Sequence, residues 1–77
     1  MAEMYRYDIM QSIYDLDEDV SLIYPPNMRF QIVIVGGGAL ILRNMITRAT
    51  SDIDILNADA RLFELMKPYN MNTRVNA

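Results

Sequence analysis

Three consecutive glycines follow directly on a run of β-branched residues, and this junction constrains the fold more than any other feature of the chain. Residues 29–35 (RFQIVIV) are apolar on both faces beyond Gln31, which predicts a central strand covered on both sides. Residues 36–38 are the glycines, and residues 39–45 (ALILRNM) favour a helix. The chain must therefore pass through a strand, a tight turn and a helix in succession.

Downstream of the glycines, apolar and acidic residues alternate. Ile53, Ile55 and Leu56 alternate with Asp54, and Asp52 precedes them, which predicts a second strand with both aspartates on one face. Two neighbouring carboxylates repel each other, and a divalent cation that prefers oxygen ligands, above all Mg²⁺, relieves the repulsion. Glycines lack a Cβ, so their backbone N–H groups can approach a polyphosphate. Together the two features predict a site for a metal ion and a triphosphate.

Two further segments have the residue pattern of helices. Residues 4–17 carry apolar side chains at three- and four-residue spacing and predict a helix that ends near the acidic residues 17–19, where the helix dipole disfavours negative charge. Residues 58–67 predict a short helix that Asp59 caps and Pro68 stops. The expected fold class is α/β, or α+β in looser terms: a short mixed sheet flanked by helices.

Composition narrows the chemistry that the chain can perform. It contains no cysteine and no histidine, which excludes disulfides, zinc sites of the usual ligand type, and Cys-His or Ser-His nucleophile systems. Any catalysis must therefore depend on carboxylates. The net charge of −3 does not favour binding to phosphate backbones, so we do not expect direct nucleic-acid binding.

Hydropathy bears on localisation and partners. The longest apolar run, residues 32–42, is interrupted by glycines and is well short of the ~20 residues that a membrane span needs. We expect a cytoplasmic protein without membrane contact. Hydrophobic residues make up 52% of the 77-residue chain, which is more than so small a core can take up. That excess points to a protein partner or to a homodimer.

The glycines and the aspartates together resemble a known pattern. Residues 35–37 (VGG), a helix, and residues 52–55 (DIDI) are similar to the motif of the nucleotidyltransferase superfamily, in which a hydrophobic residue and a glycine pair precede Asp-hydrophobic-Asp-hydrophobic. Residues 36–40 (GGGAL) and 48–54 (RATSDID) look closer still to the small bacterial branch of toxin- and antitoxin-type nucleotidyltransferase-like proteins. The resemblance covers residues 31–56.

The resemblance implies two groups of site residues, which contact the nucleotide phosphates and the metal respectively. The first group is Gly36, Gly37, Arg48 and Thr50, and the second, also catalytic, is Asp52 and Asp54. The metal would be Mg²⁺ in a site of the two-metal type, and the ligand a nucleoside triphosphate. Arg48 has an alternative role as a surface partner of Asp52 or of a helix end, and Thr50 could brace the turn instead of contacting phosphate.

Members of this superfamily usually add a third carboxylate from a later strand, which helps to activate the acceptor hydroxyl. After Glu64 the sequence contains no acid. We therefore expect residues 1–77 to form a single partial nucleotidyltransferase-like domain whose motif core is residues 31–56. Its two-metal site would be incomplete, and the chain alone would be inactive.

Two functions of different classes remain open. In the first, the domain binds Mg²⁺ with a nucleoside triphosphate and, once a third carboxylate completes it, transfers a nucleotidyl group to a hydroxyl acceptor. In the second, it is a non-catalytic, antitoxin-like interaction module of the same fold, whose protein partner is a toxin or an acceptor. An Asp-x-Asp pair by itself is also common on solvated strands, so the aspartates alone do not choose between them.

A dinucleotide-binding turn is a third interpretation of the glycines, because such domains also begin with a buried strand, a glycine turn and a helix. The third glycine of that fingerprint would fall at position 41, which is isoleucine. The acid that meets the ribose should end the second strand, whereas Asp52 and Asp54 stand at its beginning and middle. The sequence therefore favours the nucleotidyltransferase pattern.

Overall fold

The computed structural model describes residues 3–46 and 49–74, which form three α-helices, two 3₁₀ turns and three strands. In chain order these are α1 (Arg6–Ile23), β1 (Val33–Val35), α2 (Gly36–Leu42), β2 (Ile53–Leu56), a 3₁₀ turn (Ala60–Leu62), α3 (Phe63–Met66), a second 3₁₀ turn (Lys67–Tyr69) and β3 (Met71–Arg74). No helix among the described residues is long and apolar enough to cross a bilayer.

The three strands form a mixed sheet in which β2 lies between β1 and β3. β1 runs antiparallel to β2, with Val35 opposite Asp54, whereas β3 runs parallel to β2, with Asn72 opposite the same aspartate. This arrangement confirms the α+β class and the short mixed sheet predicted from the sequence.

The core lies on one face of β2. Ile53 and Ile55 are fully buried there, as the alternating pattern predicts. All three helices contribute to the same cluster, which consists of Met4, Ile9, Leu16, Ile41, Ile53, Ile55, Leu62, Met66 and Met71. One face of the central strand is therefore covered by helices, and the other face carries the aspartates.

The strand predicted over residues 29–35 is confirmed only over residues 33–35, and the prediction that it is central was wrong. β1 has three residues and lies at an edge of the sheet formed by the described residues, and Val33 is 41% exposed. Residues 29–32 remain outside the sheet because Phe30 and Ile32 lie against the core. The centroid of the Phe30 ring lies 5.1 Å from that of the Tyr24 ring. Their hydrophobicity reflects contact with the end of α1, not strand pairing.

Helix α1 continues beyond its predicted end near residue 17, through the acidic residues to Ile23. An acid in the last turn of a helix costs about 0.3–1 kcal/mol, whereas burying a leucine gains about 1.5–3 kcal/mol. Leu16 is buried and Val20 packs against the core, so packing outweighs the dipole term. The helix ends where Pro25 forces Tyr24 into an extended conformation, with φ −111° and ψ 147°.

Helix α2 begins at Gly36, three residues before the predicted start, so the glycines form its first turn. It ends at Leu42, before the predicted end at Met45, and Asn44 then adopts a left-handed conformation with φ 59°. An asparagine tolerates that conformation and ends the helix.

The helical segment after β2 is confirmed, with Asp59 as its cap: the Asp59 carboxylate accepts a hydrogen bond from the Arg61 backbone N–H. The segment does not stop at Pro68, because proline at the start of a 3₁₀ turn has no N–H to satisfy there. Asn70, with φ 56°, ends it instead and leads into β3, which was not predicted from the sequence.

A hydrogen bond joins a tyrosine and an acid that lie 50 residues apart in the chain. The Tyr69 hydroxyl donates a hydrogen bond to the Asp19 carboxylate at 2.5 Å. This bond, partial burial, and the negative charges of Asp19, Asp15 and Glu18 raise the pKa of Tyr69 to about 12. The contact joins α1 to the 3₁₀ turn that precedes β3.

Replacing Tyr69 with phenylalanine should remove a pH-dependent part of the stability. The folded-state pKa of about 12 lies above the ordinary tyrosine value of 10.0, so this contribution is complete below pH 10 and is lost as the pH rises toward 12. Urea unfolding between pH 7 and pH 11 should show wild type losing its advantage over Tyr69→Phe as the pH rises. Tyr7→Phe, at a 74% exposed position, is the control. A constant difference between wild type and Tyr69→Phe would contradict this assignment.

Candidate functional site

The two aspartates lie on the face of β2 that turns away from the core. Asp52 immediately precedes the strand and Asp54 lies within it, and both side chains are half-buried. Ile53 and Ile55 occupy the opposite face and have no exposure. Because side chains two residues apart point the same way on a strand, the burial of the isoleucines places both carboxylates on one polar face.

The glycine turn lies directly beside Asp54. Val35 pairs with Asp54 across the antiparallel ladder, so the chain leaves β1 and enters Gly36 next to that carboxylate. Gly36 has φ +73°, and a Cβ placed on it would lie 3.0 Å from Asp54 Oδ2. A side chain at this position would therefore be strained and would crowd the carboxylate.

Gly37 and Thr50 belong to the same group of residues. A Cβ on Gly37 would lie 3.8 Å from Thr50 Oγ1, an ordinary contact distance. Both Gly36 and Gly37 are exposed, so the turn is open to solvent beside the aspartates. The structure thus places Gly36 close to Asp54 and Gly37 close to Thr50, across the joint between β1, α2 and β2.

Thr50 also braces the approach to Asp52. Its hydroxyl donates a hydrogen bond to the Asp52 backbone carbonyl at 3.2 Å. Its own backbone exchanges two hydrogen bonds with Met4, of 2.7 and 2.9 Å, which tie this segment to the chain that leads into α1. The Asp52 backbone is therefore linked through Thr50 to the chain that leads into α1. Arg48, the remaining predicted phosphate-binding residue, lies outside the described residues.

One residue next to the aspartates was missed from the sequence. Asn72 lies opposite Asp54 on the parallel strand β3, and its Nδ2 donates a hydrogen bond to Asp52 Oδ2 at 2.9 Å. The alternation of Met71, Asn72 and Thr73 after Asn70 was the available signal, but four residues are too few to assign a strand. Within the described parts of the chain, no third acid joins the aspartates in a cluster.

The donors of this face are suited to a hard divalent cation. Mg²⁺ is commonly bound through one or two carboxylates, with water and substrate phosphates completing its octahedron. Asp52 and Asp54 supply the two carboxylates, and the glycine turn beside them leaves room where a Cβ would otherwise stand. The residues present therefore fit an Mg²⁺ ion that shares its ligands with a phosphorylated substrate.

The strand directions exclude the dinucleotide-binding interpretation of the glycines. In such domains the strand before the glycine turn and the strand after the helix are parallel neighbours or belong to one parallel sheet. Here β1 and β2 are antiparallel. The glycine turn therefore belongs to a different architecture.

A separate cleft of about 700 Å³ lies between the second half of α1 and the segment that follows it. Its walls are mainly apolar and aromatic, and include Leu16, Val20, Tyr24, Phe30 and Ile32. None of the five predicted site residues that the structure describes lines it. The cleft and the polar face of β2 are therefore two distinct surface features.

Comparison with known protein families gives a match that spans the polar face of β2 and the glycine turn. The model of a family described as a nucleotidyltransferase of unknown function (DUF6036) matches residues 11–77. No curated protein and no solved structure matches the chain. The matched range includes β1, the glycine turn, both aspartates and β3.

Replacing Gly36 with alanine should destabilise the fold by about 1–3 kcal/mol, because alanine at positive φ is strained and its Cβ would press on Asp54. Gly37→Ala is the matched control, since its Cβ would meet only an ordinary contact and alanine favours helix over glycine. Urea unfolding monitored by circular dichroism measures both variants. Equal stabilities of the two would contradict the geometry described for Gly36.

Proposed function

Because the chain belongs to the family of nucleotidyltransferases of unknown function (DUF6036), we propose that it binds Mg²⁺ and a nucleoside triphosphate on the polar face of β2. When a third carboxylate completes the site, the domain transfers a nucleotidyl group to a hydroxyl acceptor. The observation that carries the proposal is the contact between the glycine turn and the Asp54 carboxylate.

The closeness of Gly36 to Asp54 matters because the metal ion and the triphosphate must bind next to each other. A triphosphate and its metal share oxygen atoms, so a phosphate-binding turn and a metal-binding carboxylate serve one substrate only if they are neighbours. Gly36 and Asp54 are separated by 17 residues of sequence, yet a Cβ on the glycine would lie 3.0 Å from the carboxylate oxygen. Chance packing would not require the pair to lie on the solvent-open side of the sheet.

Each predicted site residue then has a role in binding the cation or the nucleotide. Asp52 and Asp54 hold the cation, and the backbone N–H groups of Gly36 and Gly37 meet the phosphates. Thr50 keeps the Asp52 backbone in place through its hydroxyl. Arg48 adds positive charge near the phosphates by its place in the motif. When bound, Mg²⁺ neutralises the phosphates and orients the attacking and leaving oxygens for in-line displacement.

The alternative function, a non-catalytic antitoxin-like module, rests on a different surface. On α1, Leu22 is 85% exposed and Ile23 is also exposed, and the exposed Tyr14 lines the apolar cleft. Large apolar side chains left on a surface are characteristic of protein interfaces. A toxin, an acceptor protein or a second copy of this chain would bind there, and the nucleotidyltransferase fold would be kept without its chemistry.

Thermal unfolding with and without Mg²⁺ and ATP, CTP or GTP separates the two functions. At ten times the Kd of the favoured nucleotide, the melting temperature should rise by on the order of 5–10 °C, because the ligand binds only the folded chain. The double variant Asp52→Asn, Asp54→Asn should lose the rise. Asp17→Asn with Glu18→Gln, on exposed positions of α1, is the charge-matched control and should keep it. No shift with any triphosphate would contradict the proposal and favour the module.

A further inference from the structure

The residue on β3 that lies against the two aspartates is neutral. Asn72 pairs with Asp54 in the parallel register, and its amide nitrogen lies 2.9 Å from Asp52 Oδ2. Strand alternation puts the side chain of Asn72 on the same polar face as both carboxylates, because Met71 next to it is buried in the core. Three side chains from two neighbouring strands therefore converge on one place.

We propose that Asn72 belongs to the cation site and acts there as a positioning residue. Its amide orients the Asp52 carboxylate by donating a hydrogen bond to one of its oxygens. This inference rests on the proposed function, since it concerns the cation that Asp52 and Asp54 would hold. It adds that the site is built from both β2 and β3 and that the charge at position 72 affects its affinity for the cation.

Strand stability does not account for an asparagine at this position. Asparagine is depleted in strands, where β-branched and aromatic side chains are favoured. Asn72 is exposed, so burial of its side chain contributes little, and its amide bonds to a side chain 20 residues away, at the start of the neighbouring strand. The feature that distinguishes Asn72 is its hydrogen bond to one of the two acids.

The hydrogen bond also explains how two carboxylates can face the same way before a cation is bound. An amide N–H group is a donor that partly offsets the negative charge on Asp52, and it fixes the carboxylate in one orientation. Residues that hold a metal ligand by hydrogen bonding commonly alter metal affinity by about 10- to 100-fold when they are replaced. The three side chains together carry a formal charge of −2, which one divalent cation neutralises.

A carboxylate at position 72 would change this balance in a defined way. In Asn72→Asp, an acceptor oxygen replaces the donor next to Asp52 Oδ2, so repulsion replaces attraction until a cation lies between the groups. The variant should therefore be less stable than wild type in the presence of a chelator. It should also bind divalent cations more tightly, because affinity increases with the number of charged ligands.

The experiment measures Mn²⁺ binding without nucleotide, by calorimetry and by the electron paramagnetic resonance signal of the free ion. Asn72→Asp should tighten Mn²⁺ binding by roughly 10-fold or more, and Asn72→Ala should weaken it by roughly 10-fold. Thr73→Asp is the matched control: it adds the same charge on the same strand, but on the opposite face, and should leave the affinity unchanged. In EDTA, the melting temperature of Asn72→Asp should be lower than that of wild type.

The outcomes distinguish failure of this inference from failure of the proposed function. If wild type binds Mn²⁺, Asp52→Asn abolishes binding, and both Asn72 variants bind as wild type does, position 72 is not part of the site and the cation site stands without it. If neither wild type nor Asn72→Asp binds Mn²⁺, both proposals are overturned. If Asn72→Asp folds only after Mn²⁺ is added, the inference is supported, because only a carboxylate that faces the site gives that dependence.

Discussion

The antiparallel pairing of β1 with β2 is the interaction on which the rest of the site depends. It sets Val35 opposite Asp54, so the chain turns at Gly36 beside that carboxylate. The register is held from the other side of the sheet, because Ile53 and Ile55 are fully buried and a slip of one residue would expose them and bury the aspartates. Core packing against the helices therefore determines where the acids and the glycine turn meet.

The part of the site that could be predicted from sequence is the part governed by local rules. The alternation of Ile53, Asp54 and Ile55 predicted both the strand and its polar face, and Asp59 predicted the start of the helical segment that follows. The adjacency of Gly36 and Asp54 was inferred from the chemistry of the glycines and the carboxylates and from resemblance to a known motif. No periodicity in the chain indicates which strands pair, because pairing is decided by contacts between distant residues.

The elements that were predicted wrongly, or not predicted at all, share one physical cause. Phe30 and Ile32 are apolar because they pack against the core from outside the sheet, and a strand buried in a sheet carries the same side chains. Helix α1 continues past residue 17 because Leu16 and Val20 reach the core, although the acids there suggest a helix end. β3 is short and was left unassigned, yet its pairing with β2 brings Asn72 to Asp52. Tertiary contacts overrode local preference in each case.

Paramagnetic broadening in a ¹⁵N-labelled sample titrated with Mn²⁺ tests most directly whether the joint between β1, α2 and β2 binds a cation. Two acidic regions compete for the ion, the polar face of β2 and the acids of α1 at residues 17–19. The account predicts that the amide signals of Gly36, Gly37 and Asp54 disappear first, while those of residues 17–19 persist. Loss of the α1 signals first, with the glycine signals unchanged, would contradict it.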